Sequence, residues 1–168
     1  MKTLYLVRHA KSSWKDSSLK DRDRPLNKRG KRDAPRMAEY LRQRIGSPDV
    51  FISSPSRRTQ DTAAYFLEAF GRLKGELEME EDLYHGDEQD IETVMQSINN
   101  SHESTMLFIH NPGITDYVNE LTGEDIFNIP TCGVVGIQLD TQDWKRIHRC
   151  QKKKLFYYYP KGLDLRTQ

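Results

Sequence analysis

Apolar residues fall into two alternating rhythms along this chain. Continuous apolar runs at Leu4-Tyr5-Leu6-Val7, Val50-Phe51-Ile52 and Met106-Leu107-Phe108-Ile109 read as buried strands over about 2–8, 49–53 and 104–110. Between them, apolar positions recur three or four apart. Ala34, Met37, Leu41 and Ile45 predict a helix over 33–45, and Ala63, Phe66, Leu67 and Phe70 one ending near 70. Ile91, Val94, Met95 and Ile98 predict another over 88–99. The alternating glutamates of 76–80 suit a short edge strand. Two final strands are expected at 133–140 and 144–150, with 155–159 a further strand or an extended tail.

Punctuation residues refine these boundaries. Proline is tolerated in the first helical turn, so Pro35 sets the start of its helix near Asp33, and Gly46 and Pro48 stop it. Ser54-Pro55 reads as an N-cap followed by a proline at the first helical position. Asn111-Pro112 repeats that signal ahead of a short helix ending near Gly123. The polar stretch from Lys11 to Arg32 is long for a connection, and such loops are usually functional. Strands alternating with helices imply an α/β fold: a three-layer α/β/α sandwich with a mostly parallel central sheet, in a single domain over 1–168.

Three of the strands run directly into residues that hold or attack phosphate. These are Arg8-His9, then Ser53-Ser54-Pro55-Ser56-Arg57-Arg58, then His110-Asn111-Pro112-Gly113. Ligands of open α/β sheets bind beyond the carboxyl ends of the strands, so the three ends are expected to converge on one anion. Arg57 and Arg58 fall in a first helical turn, where the macrodipole disfavours cations. A bound phosphate would compensate, and only one of the two is expected to point to solvent.

Bulk composition mainly excludes. The 168 residues carry 26 Lys and Arg against 25 Asp and Glu, a net charge of +1 that gives no support to a nucleic-acid or membrane-surface binder. Cys132 and Cys150 have no metal-ligand partners at usual spacing and fit a reduced compartment. No apolar run approaches the ~20 residues of a membrane span. The N-terminus reads as a strand rather than a signal peptide, so a cytoplasmic location is expected.

Leu6-Val7-Arg8-His9-Ala10, the Ser53–Ala63 segment and Ile109-His110-Asn111-Pro112-Gly113 together resemble the histidine phosphatase superfamily, which includes the phosphoglycerate mutases. The similarity extends over essentially the whole chain, Arg24-Pro25-Leu26 included, and is greatest to the small SixA-like phosphohistidine phosphatases. The resemblance implies a phosphoglycerate mutase-like fold and a hydrolase that works without metal or other cofactor. It implies His9 as the nucleophile, phosphorylated in passing, Arg8 and Arg58 as the phosphate clamp, and His110 as a second pocket histidine donating to phosphate. Ser12 and Asn111 are expected to touch the substrate.

Some positions depart from the family pattern. Ala10 stands where glycine is commoner and requires a backbone that avoids positive φ. Thr59 replaces a common alanine, and Lys15 replaces an asparagine of the mutase loop that Ser12 and Trp14 otherwise resemble. Many members carry a glutamate acid after the third strand, where this chain has Leu83-Tyr84-His85-Gly86. An alkoxide leaving group needs a proton donor, whereas phosphohistidine can depart as neutral imidazole. The expected substrate is therefore phosphohistidine on a protein such as a histidine phosphotransfer domain. Two other readings stay open: a phosphatase of small phosphoester metabolites, and a non-catalytic phosphate-binding regulatory protein. His85 is expected to be an exposed loop residue, with His85, Glu81, Asp82 and Asp21 all open as the acid if one is used.

Overall fold

Strand alternation sorts the core into two halves. In β1 (Lys2–Arg8), Leu4 and Leu6 enter one apolar cluster, while Tyr5 and Val7 enter another on the opposite face. β2 (Val50–Ser53) and β4 (Ser104–Ile109) divide in the same way, with Ile52 and Leu107 on one face and Phe51 and Phe108 on the other. The computed structural model describes residues 1–166. Its six-stranded sheet runs β3-β2-β4-β1-β5-β6, with β3 at Leu77–Met79, β5 at Val134–Leu139 and β6 at Lys152–Tyr158. The β3–β2, β2–β4 and β4–β1 pairings are parallel, and β1–β5 and β5–β6 are antiparallel.

Helices α1 (Lys28–Arg42) and α2 (Arg57–Ala69) cover one face, through Ala34, Met37, Leu41, Ala63, Phe66 and Leu67. Helices α3 (Glu88–Ser97) and α4 (Gly113–Thr122) cover the other, through Ile91, Met95, Tyr117 and Leu121. A short α5 (Pro160–Arg166) follows β6. The result is the expected three-layer sandwich, in which the carboxyl ends of β1, β2 and β4 share one edge.

Several boundaries differ from the sequence expectation. Helix α1 begins at Lys28, not near Asp33, and carries Pro35 in its interior. Its start is fixed by Asn27, whose side chain accepts from the Gly30 amide at 2.9 Å, and by close packing of Gly30 on the Lys11 carbonyl. Tertiary contacts override the proline rule there. The cap of α2 is Ser56 rather than Ser54, and Asn111 does not cap α4, which has Pro112 at that position. Residues Trp144–Arg149 form a 3-10 helix instead of a strand, burying Trp144 and Ile147. The final strand is the Lys152–Tyr158 segment, and residues 167–168 of the tail lie outside the described residues.

The loop after β1 doubles back on itself. Ser12 bridges Leu26, the Ser13 amide donates to the Pro25 carbonyl at 2.8 Å, and the Asn27 amide donates to the Lys11 carbonyl at 2.9 Å. A β-carbon added at Gly30 would lie 2.2 Å from that same Lys11 carbonyl oxygen. Gly30→Ala should therefore destabilise the fold by about 1–3 kcal/mol, the usual range for overpacking. Urea unfolding checks this, and an unchanged midpoint would mean the loop shifts freely away from α1.

Candidate functional site

The three strand ends meet as the sequence suggests. Arg8, His9, Arg58 and His110 line one cavity of about 290 Å³, together with Lys11, Ser12, Trp14, Asp21, Arg24, His85, Asn111 and Thr131. The rings of His9 and His110 lie 5.4 Å apart. Arg58 is only 3% exposed, while the Arg57 side chain is 57% exposed and pairs with Asp61 at 3.6 Å. One arginine of the pair faces the pocket and the other faces water.

His9 is held by its own neighbour. Its Nδ1 lies 2.8 Å from the Ala10 carbonyl oxygen. A carbonyl can only accept, so Nδ1 carries the proton and Nε2 keeps its lone pair. Ala10 is not among the residues at positive φ, which satisfies the condition alanine imposes there. Its amide donates to Thr62 Oγ1 at 2.9 Å, tying the end of β1 to α2. Burial pushes the His9 pKa down to about 3; the bond to the Ala10 carbonyl opposes this, and the Arg58, Arg8 and Arg24 guanidiniums add to it. His110 is pushed down to about 2 by burial, with His9 and Arg58 contributing. Both imidazoles are neutral near pH 7.

The arginines are partly committed and partly free. Arg8 Nη1 donates to the Ile129 carbonyl at 2.7 Å. Arg58 Nη1 donates to the Asp21 carbonyl at 2.8 Å, and its Nη2 to Asp21 Oδ2 at 3.1 Å. The Nε–H groups of both arginines are buried without a partner. Buried donors of this kind are rare.

Of the four residues left open as an acid, Asp21 and His85 line the cavity. Asp21 accepts from Arg24 on one oxygen, at 3.1 and 3.0 Å. On the other it accepts from Tyr84 at 2.7 Å and Arg58 at 3.1 Å, with His85 Nε2 also at 3.1 Å. Partial burial favours its neutral form, but the Tyr84, Arg24 and Arg58 interactions outweigh that and hold the carboxyl well below the usual range. Asp21 is thus ionised, which removes it as a proton donor. Glu81 is removed differently: it is exposed and pairs with Arg22 at 2.8 Å. Asp82 does not line the cavity. His85 is exposed as expected, yet it is also part of the pocket wall.

Arg24 donates to Ser12 Oγ at 2.6 Å and stacks over Trp14 at 3.5 Å from its centroid. The Arg24-Pro25-Leu26 run was the one sequence signal for it. Ser54, expected as a helix cap, instead lies 2.7 Å from His110 Nε2 through its hydroxyl. Ser12 and Asn111 both line the cavity. The Asn111 amide is taken up by Asn128 at 3.0 Å and by Thr115, so it braces the pocket wall. Among the described residues no three His, Cys, Asp or Glu side chains are grouped so as to hold a metal ion, and no helix is long and apolar enough to cross a membrane.

A family model for the histidine phosphatase superfamily (branch 1) matches residues 4–128. An uncharacterized chloroplastic protein of Arabidopsis thaliana is 31% identical over 150 residues, which cover 84% of this chain and 68% of that protein. The SixA protein of Agrobacterium tumefaciens superposes with a TM-score of 0.81 at 24% identity, over 95% of this chain and 98% of that one. The protein histidine phosphatase SixA complexed with tungstate gives 0.81 at 21% identity, over 96% and 99%. A phosphoserine phosphatase of Entamoeba histolytica, bound to 3-phosphoglyceric acid, gives 0.69 at 14% identity, over 97% and 100%. The phosphoglycerate mutase-like fold is shared by all three structures.

The lowered histidine pKa values have a consequence for stability. Below about pH 6.5 the unfolded chain takes up two protons that the folded pocket refuses. Stability should therefore fall as pH falls from 6.5 toward 3, by up to about 1.4 kcal/mol per pH unit for each histidine. The urea midpoint should be clearly lower at pH 5 than at pH 7, and His110→Gln should flatten that slope. Equal midpoints in the parent protein would show that both rings titrate normally.

Proposed function

The chain belongs to the histidine phosphatase superfamily and is a phosphatase, and on that premise we propose that His9 is its nucleophile and phosphohistidine on a protein its substrate. The observation that carries the first part is the bond from His9 Nδ1 to the Ala10 carbonyl. It leaves Nε2 as a neutral, unprotonated nitrogen in a cavity lined by guanidinium groups. A nucleophile of that kind splits hydrolysis into two transfers through one pocket.

In the first transfer, the Nε2 lone pair attacks phosphorus and the bond to the leaving group breaks. The Arg8 and Arg58 guanidiniums lining the cavity meet the equatorial oxygens, where phosphoryl transfer concentrates charge. Arg58 Nη2 lies 3.4 Å from His110 Nδ1 and can only donate, so His110 carries its proton on Nε2 and donates it to the Ser54 hydroxyl at 2.7 Å. His110 thereby steadies the Arg58 guanidinium at the pocket. In the second transfer water attacks phosphorus, and His9 regains its lone pair.

Two features support a protein substrate. Trp14 stands at the pocket with 72% of its surface exposed, and exposed aromatic residues suit protein contact. The fold is also that of SixA, a protein histidine phosphatase. A second reading, a small phosphoester substrate, is favoured by His85 and its bond to Asp21 inside the pocket.

Phosphoramidate and phosphohistidine turnover, set against p-nitrophenyl phosphate, compares the two substrates. Incubation with phosphoramidate should give an acid-labile phosphoryl group on His9, and His9→Ala should lose both label and turnover while keeping the fold. Arg58→Ala should slow turnover about 10²–10³-fold, the usual effect of losing one oxyanion donor. His110→Ala should slow both transfers. Full activity in Arg58→Ala would remove Arg58 from the clamp.

A further inference from the structure

We propose that His85, carried on the ionised Asp21 carboxylate, is a proton donor to the leaving group, so that the pocket cleaves oxygen-linked phosphate monoesters as well as N-phosphoryl groups. The inference rests on the reading of His9 as nucleophile.

The pocket's other histidines, its carboxylate and its neighbouring tyrosine are already committed. His9 carries the attacking lone pair, and His110 stays neutral. Asp21 is ionised, and the Tyr84 hydroxyl is spent on it, with its pKa raised by burial and by that bond. His85 is placed differently. Its Nε2 lies 3.1 Å from Asp21 Oδ2, its ring is 5.4 Å from that of His110, and its side chain is 57% exposed. One edge of the imidazole is thus fixed by a carboxylate, while solvent can replace any proton it gives up. Nδ1 takes no part in the Asp21 bond. The other charged groups around it are Arg58, which shares Asp21, and Arg22, which lies 5.6 Å over the Tyr84 ring.

The backbone supports the same assignment. His85 has φ of 53°, a left-handed conformation that is uncommon for a residue with a side chain. Such strain persists only where neighbours impose it, and it gathers at functional sites. Here the neighbours are visible. A β-carbon on Gly86 would lie 2.5 Å from the Asp82 carbonyl oxygen, and one on Gly113 would lie 2.2 Å from that of Gly86. The turn carrying His85 is therefore pressed against the start of α4, close after His110, which follows β4. Asp21 holds both His85 and the Arg58 clamp, so the donor and the phosphoryl group are referenced to one carboxylate.

The proton balance closes without a further reactant. His9 Nε2 forms the bond to phosphorus, the phosphorus–oxygen bond breaks, and the leaving oxygen takes the bond's electron pair and the His85 proton. Water then adds to phosphorus and gives one proton back to His85. The phosphorus–nitrogen bond breaks toward His9, and the products are an alcohol and inorganic phosphate. Phosphoramidate needs no such donor, because its nitrogen already carries its protons at neutral pH.

His85→Gly is the informative variant, since glycine accepts positive φ and the fold loses a strained residue. Phosphoramidate, p-nitrophenyl phosphate and phenyl phosphate should be compared in the parent and variant proteins. Phenyl phosphate turnover should fall about 10²–10⁴-fold, the usual contribution of a general acid. Turnover of p-nitrophenyl phosphate and of phosphoramidate should fall only a few-fold, the effect of losing the contact to Asp21. Added imidazole should restore phenyl phosphate turnover in the variant. An equal loss on all three substrates, no loss on phenyl phosphate, or a parent protein inert to phenyl phosphate would each overturn the assignment. Failure of the parent to label His9 from any donor would instead overturn the reading of His9 as nucleophile.

Discussion

A negative charge inside an anion pocket needs a reason, and Asp21 supplies one through its contacts. Arg58 is almost fully buried, and a buried guanidinium without an anionic partner is strongly destabilising. Asp21 meets that need with its side chain and its own carbonyl oxygen, at 3.1 and 2.8 Å. The same carboxylate takes both Arg24 contacts, the Tyr84 hydroxyl and His85. Arg58 and Arg24 can therefore remain charged and ordered before any phosphate arrives. Repulsion between Asp21 and phosphate offsets part of the attraction, but three guanidiniums against one carboxylate leave the pocket positive. Preorganisation of this kind is what electrostatic catalysis requires.

The field that attracts phosphate also decides how protons can move. Guanidiniums near His9 and His110 disfavour imidazolium, and burial acts in the same direction. This suits a nucleophile, which must keep its lone pair. It also means that the deepest part of the pocket cannot deliver a proton. Any donor has to sit at the rim, next to an anion and in reach of water. Asp21 and the strained turn at His85 create that position, so the proposed clamp and the proposed donor follow from one distribution of charge.

Strand positions and the convergence of Arg8, His9, Arg58 and His110 were legible because burial and strand ends leave local patterns. The buried runs of β1, β2 and β4 alternate between the two core clusters, and each ends on a polar pair. What was not legible depended on contacts between distant segments. Helix α1 starts at Lys28 because Gly30 fits against Lys11, which no rule about Pro35 reveals. Residues 144–149 carry apolar positions that suit a strand, but Trp144 turns inward and donates to the His102 carbonyl at 3.0 Å from a 3-10 helix. Asp21 lies in a polar loop without periodicity and reaches Arg58 across 37 positions of sequence. Ser54 fits an N-cap pattern, and only the folded chain shows its hydroxyl turned to His110.

The sheet separates two kinds of constraint. The phosphoryl side of the pocket is built on the ends of parallel strands β1, β2 and β4, which are buried on both faces and leave little freedom to the residues that follow them. The leaving-group side is built by loops. Asp21 comes from the doubled-back segment after β1, and His85 from the turn before α3. Loops accept substitution more readily than buried strands do. The division predicts where chemistry is fixed and where it can vary: the proposed attack by His9 and grip on phosphate would follow from the scaffold, whereas the proposed choice of leaving group would be set by residues the scaffold does not constrain. Asp21 is the point where the two halves join, because one of its oxygens bonds to the strand-end clamp and to the loop histidine together.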